Sequence, residues 1–189
     1  MKNLKKAVAV VFLTLLNSAC NNDDTVNPPV NEEEVITTVT TVLTGGGQVI
    51  TLTSRDLDGD GPNAPIQTVS GNLVAGTTYM GATTFKNELA NPVEDLTTEI
   101  EEEGAAHQVF YQIAPAVGAI TYAANNVDVN GKPIGLRFSL VAGSAATTGT
   151  LTITLKHLPN KAATGVAQGN IANAGGATDA MVVFPIAVN

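Results

Sequence analysis

Between positions 35 and 44, and again between 48 and 53, apolar residues alternate with threonine, and Gly45, Gly46 and Gly47 stand between the two runs. Alternation sends successive side chains to opposite faces of a strand, and the glycines allow the positive φ angles of a tight hairpin. The chain therefore opens as two antiparallel strands with one face to bury. Threonine accounts for 24 of the 189 residues, most of them beside Val, Ile or Leu, a pairing that favours strand over helix. Further strands are expected over 77–85, 107–113, 119–123, 134–141, 151–157 and 180–188, with turn chemistry at Asn130-Gly131, Gly143-Ser144 and Pro159-Asn160. Seven to eight short strands joined by polar turns predict an all-β domain, an immunoglobulin-like β-sandwich. With no Trp and a single Cys, the likeness to antibody domains stops at architecture.

One segment breaks the period of two. Asn91, Pro92, Glu94 and Asp95 make a helix start, Val93, Leu96 and Ile100 share one face at helical spacing, and Gly104 offers a stop. The pattern predicts a short acidic amphipathic helix over 92–103, capped by Asn91. Glu101, Glu102 and Glu103 then crowd its C-terminus, where the helix dipole disfavours negative charge. A bound cation would relieve that conflict; a solvated acidic face is the plainer reading. The stretch 159–179, with Gly165, Gly169, Gly175 and Gly176, has almost no apolar periodicity and is expected to be a long loop, a common place for function.

At the N-terminus, Lys2, Lys5 and Lys6 precede the apolar run 7–16, and Ser18 and Ala19 lead to Cys20. The run has about half the length that crosses a bilayer, so it reads as an export signal. The segment LLNSAC resembles a bacterial lipobox, with Asn17 where leucine is usual. That resemblance implies cleavage before Cys20 and a lipid on Cys20; an ordinary secreted chain with a free thiol is the alternative. Asn21, Asn22, Asp23 and Asp24 resemble the acidic signal that sends lipoproteins of Bacteroidota to the outer face of the outer membrane. The expected organisation is a signal peptide over 1–19, a lipidated Cys and flexible tether over 20–32, and the sandwich over 33–189. Net charge is -8 and becomes more acidic once the three leading lysines are removed, so the surface is unsuited to nucleic acid. The membrane is the expected partner, through the lipid.

Two motifs could hold a metal. Asp56, Asp58 and Asp60 alternate and are followed by Gly61, a spacing that lets carboxylates converge on calcium around a tight turn. Gln67 stands where an EF-hand needs a bidentate glutamate, and Pro62 follows the glycine, which excludes that motif. A calcium-type loop of a β domain and a solvated, self-capped turn both remain open. Only two histidines exist, His107 just after the acidic helix and His157 near the end of a strand. Imidazole suits zinc, copper and iron, and with Glu103 and Glu99 the pair makes a candidate transition-metal site; Tyr111, four residues on, would share the strand face of His107. No nucleophile motif, catalytic thiol or phosphate-cradling glycine loop is present, and the aromatic platforms of a sugar site are scarce, so catalysis is not expected.

The segments DLDGDGPNAP, EIEEEGAAHQVFY and LKHLPNKAATGVAQGNIANAGGATD together resemble a family of small flavobacterial surface lipoproteins loosely labelled "type 1 periplasmic binding fold superfamily". The likeness spans nearly the whole chain after Cys20. Binding proteins of that label have two α/β lobes, whereas this sequence lacks alternating strand and helix, so the all-β expectation stands. The resemblance implies a metal or cofactor site at His107, His157 and the 56–60 loop. The functional expectation is an outer-membrane lipoprotein that binds a transition metal, zinc first, or a metal cofactor such as haem, and serves an outer-membrane transporter without catalysis. The alternative is a structural or adhesive module stabilised by calcium.

Overall fold

The structure is a computed structural model and describes residues 34–59 and 61–189. Cys20 and the segments expected to be signal and tether lie outside the described residues, and so does Asp60. Ten strands are present among the described residues: β1 Thr38–Gly45, β2 Gln48–Arg55, β3 Ile66–Val69, β4 Thr78–Asn87, β5 Glu94–Asp95, β6 His107–Ile113, β7 Gly118–Tyr122, β8 Arg137–Ala142, β9 Thr147–His157 and β10 Ala177–Val188. They form two antiparallel sheets. One runs β3-β2-β1-β4-β8-β7 with β5 beside β4, and the other runs β10-β9-β6. Strands β3 and β5 go beyond the seven or eight expected.

The opening hairpin follows the residues that code for it. Gly45 pairs with Gln48, and Gly46 and Gly47 turn the chain with φ of 56° and 75°, the two positive angles of a type I′ turn. Val39 and Leu43 of β1, Leu52 of β2, and Tyr79 and Phe85 of β4 point inward and meet Val109, Leu151, Ile153, Leu155 and Phe184 of the other sheet in one buried cluster. Alternation thus builds the core, because each strand has one apolar face to remove from water. Gly81 of β4 is required for packing, since a Cβ there would enter the ring of Phe138, its register partner. Tyr111 of β6 joins the sheets by polar contact, donating to the Gly135 carbonyl (2.7 Å) with its oxygen 2.9 Å from Thr83 Oγ1. Burial drives its phenol well above the ordinary tyrosine range.

The helix is shorter than the periodicity suggested. It spans Leu96–Glu102, and Asp95 rather than Asn91 is the cap, accepting from the Thr97 N–H at 3.0 Å. Glu94 and Asp95 are drawn into pairing with Asn87 and Lys86, which delays the helix, and the Asn91–Pro92 peptide is cis. Leu96 and Ile100 are buried as expected, but Val93 is 56% exposed. No helix among the described residues is long and apolar enough to cross a membrane.

Candidate metal centre

Strands β6 and β9 pair so that His107 lies directly opposite His157. The same register sets Val109 against Leu155 and Tyr111 against Ile153, so the histidines occupy the end of the inward-facing row. Directly opposed residues hold their side chains within contact distance, and the two imidazoles stack with centroids 4.7 Å apart and planes 16° from parallel. His107 is fully buried, while His157 is half-buried.

A third group comes from β10. Its register against β9 runs Thr178 to Lys156 and then Ala180 to Leu155, leaving Asp179 as the extra residue of a bulge. Bulges re-aim side chains, and this one places the Asp179 carboxylate with the histidines: ligand atoms of His107, His157 and Asp179 all lie within 4.8 Å of one another. A second group shares His107, with Glu34 from the segment before β1 and Glu103 from the end of the helix, again within 4.8 Å. Of the residues expected from sequence, His107 is brought beside His157 in one group and beside Glu103 in the other, while His157 and Glu103 share no group. Glu99 belongs to neither group, being exposed on the helix, and Tyr111 turns its hydroxyl into the core.

The hydrogen-bond pattern singles out one nitrogen. His107 Nδ1 lies 3.3 Å from the Glu103 carbonyl, and donation there leaves the lone pair on Nε2. Nε2 is 3.4 Å from Glu34 Oε1 but has no aligned hydrogen-bond partner. Four buried side-chain polar atoms lack a partner among the described residues; three of them, His107 Nε2, Glu34 Oε2 and Asp179 Oδ2, converge here. An unpaired buried polar atom costs on the order of 1–3 kcal/mol, so this end of the sheet concentrates polar atoms with hydrogen-bonding or ligating capacity to spare.

The charges agree. Burial lowers the His107 pKa, but the facing Glu34 carboxylate, the Glu103 carbonyl and Asp179 outweigh it and hold the imidazole above its ordinary value. Burial raises the Asp179 carboxyl, with Glu34 adding and the two histidines opposing. Glu99 is raised by burial and then by Glu34 and Glu103, which registers the excess of negative charge around the pair.

The donor set fits a transition ion of zinc type: two imidazoles and a carboxylate, with Glu34 and Glu103 grouped with His107 alone. Imidazole lone pairs lie in the ring planes, so two nearly parallel rings do not aim at one point. The more exposed His157 must turn about its Cβ–Cγ bond for both to bind one ion.

Loop 158–176 braces this end of the sheet. Lys161, 7% exposed, donates from Nζ to the Gly104 carbonyl, to Pro133 O at 3.0 Å and to Asp128 Oδ2 at 3.0 Å. Burial lowers the Lys161 pKa against the opposing pull of Asp128. Gly104 lies between Glu103 and His107, so the buried cation ties the loop to the segment that carries both. Val166 and Ala174 cover the outer face of β6 at Phe110.

The 56–61 loop behaves differently. Asp56 Oδ1 accepts from the N–H groups of Asp58 (3.3 Å) and Gly59 (3.0 Å), and Asp58 Oδ2 accepts from Asn63 N (3.2 Å) and Nδ2 (2.7 Å). These carboxylates cap their own turn, and Arg55 lines the same cleft.

No protein-family model matches the chain, and no characterised protein or solved structure shows significant similarity to it.

Proposed function

We propose that the chain is a lipid-anchored outer-membrane protein that presents, at the cell surface, a non-catalytic binding site for a transition-metal ion, zinc first, and passes the ion to an outer-membrane uptake system. The observation that carries this reading is the pairing of His107 with His157 across β6 and β9, with Asp179 beside them and a fully buried, unpartnered Nε2. Coordination uses neutral imidazole and ionised carboxylate, so binding releases protons and weakens as pH falls. The anchoring part rests on the resemblance of the segment ending at Cys20 to a lipobox.

The test is metal content after dialysis against zinc, copper, iron or calcium in turn, using chain with Cys20→Ser so that no thiol competes. One equivalent of zinc, copper or iron, absent from the His107→Ala/His157→Ala variant, supports the reading. Retention of that ion by the double variant overturns it. Calcium alone shifts the weight to the 56–60 loop and to a structural or adhesive module.

A further inference from the structure

Two carboxylates of the site, Glu34 and Glu103, do not belong to either sheet, and only Glu34 is drawn out of water. Glu34 stands four residues before β1, and the first backbone hydrogen bond after it among the described residues is from Thr37 N to Lys86 O, at 2.9 Å. Val35 is exposed, and Ile36, partly buried, packs against the core. Yet the Glu34 side chain is only 15% exposed, its Oε1 is 3.4 Å from the orphaned Nε2 of His107, and its Oε2 is buried without a partner. A carboxylate oxygen drawn out of water without a hydrogen bond is a costly placement for a residue on a loosely tied segment. The other carboxylate of the second group, Glu103, is exposed.

We propose that Glu34 is a fourth, exchangeable ligand of the ion held by His107, His157 and Asp179, so that loading and release of the metal are coupled to docking and lifting of the segment 34–36. The inference rests on the metal reading given above. His107, His157 and Asp179 stand on strands of one sheet whose backbones are held in register, so that only the His157 ring has to turn for the three to meet one ion. Glu34 arrives on backbone with no such ladder, so it is the ligand that can leave without disturbing the fold. Three donors on a fixed sheet backbone and one on a movable segment retain an ion while leaving a path by which another molecule's donor can replace the fourth. A transport partner that contacted residues 34–36 would thereby lower the hold on the metal.

The experiment uses zinc itself with the Cys20→Ser chain, measuring zinc affinity by chelator competition, zinc release rate, and hydrogen exchange of the 34–37 amides with and without zinc. Glu34→Gln keeps the shape and removes the charge; it is expected to weaken zinc binding by at least about tenfold and speed release to match, whereas Glu103→Gln changes affinity by less than about twofold. Zinc is expected to slow exchange at 34–37 in the unaltered chain and not in Glu34→Gln. Matching metal-free melting curves establish that the variants fold alike. If Glu34→Gln binds and releases zinc like the unaltered chain, or if exchange at 34–37 ignores zinc, the fourth-ligand proposal is overturned while the three-residue site stands. If the unaltered chain takes up no zinc, or if His107→Ala/His157→Ala still binds it, the site itself fails and the proposal fails with it.

Discussion

Two acidic regions of this molecule look alike in sequence and differ in structure. At 56–61 the carboxylates of Asp56 and Asp58 are occupied by N–H groups of their own turn, and the motif stabilises the loop that bears it. At the β6–β9 end, His107, Asp179 and Glu34 keep buried donor atoms without partners. The first region has more regular spacing, and the second has more unspent chemistry. A ligand site is recognised by what its polar atoms still lack, since burial without partners is tolerated only where something else compensates.

The sharpest way to break this contrast is to exchange the losses. Replacing His107 and His157 with Ala is expected to abolish zinc retention, whereas Asp56→Ala with Asp58→Ala leaves it unchanged. Equal zinc content in both variants, read by atomic spectroscopy, would erase the distinction between the regions.

A second effect concerns the brace behind the histidines. Lys161→Met leaves Asp128, whose side chain is 1% exposed, as a buried charge without its partner. Such breakage costs roughly 3–5 kcal/mol, seen as an earlier denaturant midpoint. Zinc affinity should drop with it, because Gly104 loses its anchor beside Glu103 and His107. A midpoint within the scatter of the unaltered chain would show that the ion pair contributes nothing net.

pH separates the regions next. The folded pKa values of His107 and Asp179 are both raised, so each contributes stability that is full below its unfolded pKa, about 6.5 and 3.9 respectively, and is lost as pH rises through the folded value. The metal-free protein should therefore melt progressively lower as pH rises above about 6.5, and His107→Ala should flatten that part of the profile. Zinc should stabilise most at the alkaline end, where the imidazoles are neutral. A metal-free profile that climbs over this range contradicts the assignment.

The smallest effect belongs to the loop. Asp56→Ala removes two capping contacts and is expected to cost about 1 kcal/mol, with no change when calcium is exchanged for chelator.

Much of the fold was legible because strands with one buried face write their alternation into the sequence. The β6 boundaries, His107–Ile113, agree with the expected span. Strand β3 escaped notice because Ile66, Gln67 and Thr68 are exposed, so no burial pattern marks them, and β5 is only two residues long. The helix start was misplaced because Asn91-Pro92 is a strong local signal that the pairing of β5 with β4 overrides. For the site, residue type pointed to His107, His157 and Glu103, but their meeting depends on a register between distant strands that no local pattern encodes. Asp179 was hidden by the bulge, which breaks the alternation that would place it. Its signal was a lone carboxylate next to the apolar run of β10. Glu34 read as lead-in to the first strand, and only its burial against His107 reveals it.

The most direct test follows the imidazole nitrogens of both histidines by long-range ¹H–¹⁵N correlation NMR during a zinc titration. A shared site predicts that His107 Nε2 and one nitrogen of His157 shift together and saturate at one equivalent of zinc. Shifts confined to the more exposed His157, or absent from both rings, would contradict the account.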